Sequence, residues 1–153
     1  MKKSFFILMT LMSVLVSSAT SCNKEDDVNI ENDHPMANGK IKIKANSQTF
    51  TATLLDNNSA KAFKEMLPLT INMTELNGNE KYYDFPNNMP TNASNPSTIK
   101  SGDLMLYGSK TLVLFYHSFS TSYSYTKLGT IDDTTGLAFA LGLGNVTVTF
   151  ELE

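Results

Sequence analysis

The 153-residue chain has no tryptophan, and all 12 of its basic residues are lysines. A lysine ammonium is a compact, strongly hydrated point charge and does not replace the planar fork of a guanidinium, so chemistry that needs that fork is excluded. Cys22 is the single cysteine, which excludes an internal disulfide and leaves an apolar core to supply stability. From Gly39 onward there are nine lysines and ten acids with no basic stripe, which argues against nucleic acid as a partner. No internal repeat is visible, and no apolar run after residue 21 is long enough to span a bilayer, which takes about 20 residues. His117 stands alone in the body without a second histidine or a cysteine, so no metal set forms. No Gly-x-Ser-x-Gly elbow accompanies it, so Ser118 and Ser120 gain no nucleophilic role. His117 reads as a polar residue at a strand end, and no cofactor is expected.

What is present starts at the N-terminus. Met1-Lys2-Lys3 is a short positive region, Phe5 to Val16 an apolar core, and Ser17-Ser18-Ala19-Thr20-Ser21 a small-residue stretch ending at Cys22. This pattern reads as a secretory signal over residues 1–21. It resembles a bacterial lipobox, with Ala19 where many carry leucine, and the resemblance implies lipidation of Cys22 and a membrane as partner. The alternatives for Cys22 are a free thiol or an intermolecular disulfide.

Removal of the leader, with Lys2 and Lys3, leaves ten lysines against 15 acids and a net charge of −5. Glu25, Asp26, Asp27, Glu31 and Asp33 concentrate that charge in residues 22–38, too polar to bury a core and therefore expected to be a disordered tether. Asn23-Lys24-Glu25-Asp26-Asp27 is similar to the acidic signal behind the lipidated cysteine of surface-exposed lipoproteins in one Gram-negative phylum. The expected location is the outer membrane, lipid-anchored and surface-exposed, with a periplasm-facing anchor as the alternative.

Residues 39–153 have the length of one domain. Lys40-Ile41-Lys42-Ile43-Lys44-Ala45 alternates with a period of two, and Phe50, Ala52 and Leu54 repeat the alternation after a turn at Asn46-Ser47. Ala60, Phe63 and Leu67 share a helical face that Pro68 ends. Leu69 to Leu76 reads as a strand with Ile71 and Met73 inward, and Asn77-Gly78 as a hairpin turn. A loop from Pro86 to Ser97 is expected to be extended. Leu104 to Tyr107 and Leu112 to Tyr116 are apolar runs around a turn, and Tyr123 to Ile131 a further strand. Asp132-Asp133 is expected to cap a short helix (Leu137, Ala138, Leu141) ended by Gly142, before a last strand from Asn145 to Leu152. Two helices cannot cover an open sheet of about eight strands, so the expected fold is mainly β, a closed antiparallel barrel with two short helices at its ends.

The segments Thr49–Leu54, Leu67–Thr70, Asn79–Tyr83, Gly102–Gly108, Leu112–Tyr116 and Ser120–Gly129, taken in order, resemble the small bacterial cyclophilin-like barrels. The resemblance implies a cyclophilin-like β-barrel over 39–153 and, for the parent family, isomerisation of Xaa-Pro bonds. That barrier of about 18–20 kcal/mol arises from amide resonance, and a guanidinium donating to the twisted prolyl nitrogen lowers it by differential binding. The strand expected to carry that group offers Thr70, Asn72 and Thr74, and the position implied for the pocket histidine holds Tyr125. Efficient isomerase activity is therefore not expected, and no catalytic residue is assigned.

All six tyrosines lie between Tyr82 and Tyr125, and tyrosine combines a rigid apolar face with a polar tip. The candidate ligand-binding residues are Tyr83, Tyr107, Phe115, Tyr116, Tyr123, Tyr125 and Ser122, around a groove expected between the Leu112–Tyr116 strand and the Pro86–Ser97 loop. The competing reading for each aromatic is core, since one of Phe115 and Tyr116 must point inward. The leading expectation is an anchored module that binds a proline-containing peptide or a small molecule. A weak prolyl isomerase and a structural surface lipoprotein are the alternatives. Asp133-Thr134-Thr135 also fits a short O-glycosylation pattern.

Overall fold

The computed structural model describes residues 34–153; the leader, Cys22 and most of the acidic stretch lie outside the described residues. Pro35–Ala45 (β1) and Gln48–Leu55 (β2) form the first hairpin. Ile41, Ile43 and Ala45 are fully buried while Lys40 and Lys44 are exposed, as the alternation requires. Asn46 turns the chain at φ 53°, a left-handed value that asparagine tolerates better than most residues. β1 begins earlier than Gly39, inside the stretch read as tether: Pro35 pairs with Leu55, and the register shifts before Lys40.

Asn58–Glu65 (α1) is capped by Asn57, whose side chain accepts from Ala60 N at 2.8 Å and donates to Lys127 O at 2.9 Å. The helix buries Ala60 and Phe63, and the Phe63 ring meets Phe150 edge-on at 5.4 Å. A cis Leu67–Pro68 bond leads into Leu69–Leu76 (β3). Asn77 and Gly78, both at positive φ, link it to Glu80–Asp84 (β4), the pattern of a tight hairpin turn. After the long loop come Thr98–Ile99 (β5), Asp103–Tyr107 (β6), Thr111–Phe115 (β7) and Phe119–Ser120 (β8). Thr126–Ile131 (β9), Leu137–Leu141 (α2) and Val146–Leu152 (β10) complete the chain.

Eight strands close in the order β1-β10-β3-β4-β7-β6-β9-β2, every neighbour antiparallel, so the barrel has no free edge. Closure brings β9 hard against β2: a Cβ at Gly129 would lie 2.5 Å from Thr53 O, so only glycine fits there. The helices sit at opposite ends. Lys64 of α1 donates to Asn38 O at the start of β1, whereas Asn46 at its far end donates to Ala140 O of α2.

Two sequence expectations need correction. The strand predicted from Tyr123 starts at Thr126, because Tyr123 and its neighbours follow a turn of their own. Asp132 and Asp133 do not cap α2, whose N-cap is Gly136 at φ 80° with no side-chain hydrogen bond. Asp132 instead accepts from Lys40 Nζ at 2.5 Å and Thr53 Oγ1 at 2.6 Å, and Asp133 accepts from Thr135 N.

Inside the barrel lies a fully buried cation, Lys81. Its Nζ pairs with Glu75 and donates to Gly142 O at 2.8 Å and Gly144 O at 2.7 Å, tying the α2–β10 connection to the β3–β4 end. Glu75 also accepts from Tyr116 OH at 2.8 Å. Burial alone would push the Glu75 carboxyl up, but the bonds from Lys81 and Tyr116 outweigh it and hold it below the ordinary value. Burial and the same carboxylate push the Tyr116 phenol up to about 12.

Candidate tyrosine-lined groove

The apolar runs of β6 and β7 break the alternation seen in β1, and the reason lies outside the barrel. Leu104, Leu106, Leu112 and Leu114 point into the main core. The intervening Met105, Val113 and Phe115 point outward, yet they are buried beneath a second apolar cluster with Ile99 and Tyr125. A strand covered on both faces reads as a continuous hydrophobic run. The cover is the small β5–β8 sheet and the segment that follows it.

The chain from Phe119 to Tyr125 does not lie flat on this face. Between it and the barrel opens a cavity of about 530 Å³. Its floor is Glu80, Tyr82 and Asp84 of β4, Thr111 and Val113 of β7, and Tyr107 at the end of β6. Register explains the row, since Tyr82 lies opposite Val113 and Asp84 opposite Thr111, whose hydroxyl donates to Asp84 Oδ1 at 2.6 Å. Leu76, Asn77 and Asn79 form the rim at the β3–β4 turn. Phe119, Thr121, Ser122, Tyr123 and Tyr125 form the far wall.

That wall is fixed from both sides. Tyr125 packs edge-on against Phe115 at 5.5 Å and tilted against Tyr107 at 5.6 Å, and Tyr107 meets Tyr123 at 6.0 Å. Behind it stands the Pro86–Ser97 loop. Ser94 and Tyr125 exchange both backbone hydrogen bonds at 3.0 Å, Thr121 N donates to Ser97 O, and Asn95 Nδ2 donates to Ser122 O. The loop therefore buttresses the groove and does not line it, contrary to the position expected from the sequence. Its first residues instead border a smaller cavity of about 180 Å³ against α1.

Of the residues picked from the sequence, Tyr107, Ser122, Tyr123 and Tyr125 come together here; Tyr107 and Tyr123 remain 48% and 61% exposed. Phe115 is wholly buried beneath them, a support for the wall. Tyr83 and Tyr116 aim the other way, into the barrel, where both pack on the main core. The error at Tyr83 comes from Lys81: residues two apart in a strand share a face, and an inward lysine carries Tyr83 inward with it. Its neighbour Tyr82 is the groove residue, together with Glu80, Asn79 and Phe119. Thr70, Asn72 and Thr74 of β3 are not among the residues that line it.

Electrostatically the groove is one-sided. Glu80 lies across from Phe115, and burial, then the nearby Glu75 charge, push its carboxyl above the ordinary value. Burial and the Glu80 charge raise the Tyr125 phenol likewise. Among the described residues no cluster of three His, Cys, Asp or Glu could hold a metal, and no helix is long and apolar enough to cross a membrane. In comparison with known proteins, residues 43–151 match the family described as the cyclophilin-like family. No curated protein matches the chain.

Proposed function

The chain belongs to the cyclophilin-like family, and from that premise we propose that it is a ligand-binding module whose site is the tyrosine-lined groove on the outer face of β4, β7 and β6. The observation that carries this reading is an open cavity of about 530 Å³ lined by Tyr82, Tyr107, Tyr123 and Tyr125. Rigid aromatics backed by a hydrogen-bonded loop bind with little ordering cost. A concave apolar site with a few polar groups is the usual form of a small-ligand pocket. Efficient prolyl isomerisation is not part of the proposal, because the chain has no guanidinium to donate to a twisted imide nitrogen.

The test is an NMR titration of isotope-labelled protein with proline-containing peptides and a small-metabolite set. Resonances of Tyr82, Tyr107 and Tyr123 are expected to move with at least one of them. A full screen that leaves those three unmoved removes the reading. A protease-coupled isomerisation assay on the protein and on Tyr125→Ala addresses the alternative of a weak isomerase, with no Tyr125-dependent rate expected.

The address is part of the same proposal. The leader and Cys22 support a lipoprotein held in the outer membrane, and the acidic residues behind the cysteine support display on the cell surface. Cys22→Ser is expected to abolish incorporation of a palmitate label and to move the protein from the membrane to the soluble fraction. Retention in the membrane fraction would count against it.

A further inference from the structure

Resting on the reading of the groove as a binding site, we propose that its ligand is an organic cation: a primary ammonium or a guanidinium carried on an apolar stem. The groove carries two carboxylates, Glu80 and Asp84, and no lysine or histidine. Asp84 already accepts from Thr111, but among the described residues Glu80 takes part in no ion pair. A half-buried carboxylate opposite Phe115 is disfavoured without a partner, and an arriving cation supplies one.

The aromatic lining points the same way. Tyr82, Tyr107, Tyr123 and Tyr125 line the cavity, and an aromatic ring's quadrupole attracts a cation over its face within about 6 Å of the centroid. Asn79 on the rim has a buried Oδ1, the one such side-chain atom among the described residues with no hydrogen-bond partner. Two carboxylates among aromatic rings ask for N–H donors that bear positive charge. An anion meets no charged donor here, and a neutral ring leaves Glu80 uncompensated.

The experiment compares isosteric probes on the full-length protein by NMR: butylammonium and butylguanidinium, neutral 1-butanol, and butyrate. The two cations are expected to shift the Tyr82, Tyr107 and Tyr123 resonances with affinity about tenfold above that of butanol, and butyrate to leave them unmoved. Glu80→Gln is expected to weaken the cations about tenfold while leaving butanol unchanged. Butanol binding as well as butylammonium would overturn the inference and leave the groove reading standing. Failure of every probe, together with failure of the peptide and metabolite screen, would remove both. The wild-type comparison decides the point even where Glu80→Gln does not fold. A further arm uses acetyl-Gly-Lys-Gly-amide: tighter binding than butylammonium, with added shifts at Ser120 and Ser122, assigns the cation to a peptide lysine, and equal binding assigns it to a free amine.

Discussion

On the β1–β2 side the barrel's outer face carries Lys40, Lys42, Lys44, Thr51 and Thr53, whereas on the β4–β7–β6 side it carries Glu80, Tyr82, Val113, Phe115 and Met105. Both walls are antiparallel strands over the same core. The first meets solvent and alternates; the second is roofed by a second apolar layer and by a cavity. The difference teaches that a broken alternation in a barrel strand marks where something is meant to lie on the outside.

Five substitutions test the contrast between the two walls, all read by urea unfolding. Phe115→Ala removes a wholly buried ring from the outer layer and is expected to cost about 4 kcal/mol. A cost below about 1 kcal/mol would mean that the outer layer is not a packed core. Lys81→Ala leaves Glu75 without its buried cation and is expected to cost about 3 kcal/mol. The same change at Lys44, whose pair with Glu151 is solvated, should fall within about 0.5 kcal/mol of zero.

Glu80→Gln is expected to stabilise the protein at neutral pH. Because the folded-state pKa of Glu80 is raised, its favourable contribution is present below the unfolded pKa and fades as pH rises through the folded one. The advantage of the glutamine variant should therefore be largest near pH 7 and shrink toward about pH 3.5, below the ordinary carboxylate range. A constant difference across that range would deny the burial of Glu80. Tyr123→Ala should likewise leave stability within about 0.5 kcal/mol yet weaken any groove ligand.

The barrel was readable because its strands announce themselves. Ile41, Ile43 and Ala45 follow a period of two, Asn77-Gly78 has the dipeptide of a tight turn, and Pro68 limits α1. The groove was half readable. Tyrosines in a narrow stretch pointed to Tyr107, Tyr123 and Tyr125, but β5 and β8 are two residues each, too short to leave a period. The exchange of Tyr82 for Tyr83 has a single cause, the lysine turned inward at position 81. Its partners Gly142 O and Gly144 O are backbone groups about 60 residues away, which no local pattern reveals.

The cyclic strand order has a consequence for access. Counting round the barrel in either direction, β1 lies four strands from β7. The polypeptide thus joins the domain on the wall diametrically across from the floor of the groove. Whatever attaches at that wall leaves the floor of the groove on the other side of the barrel.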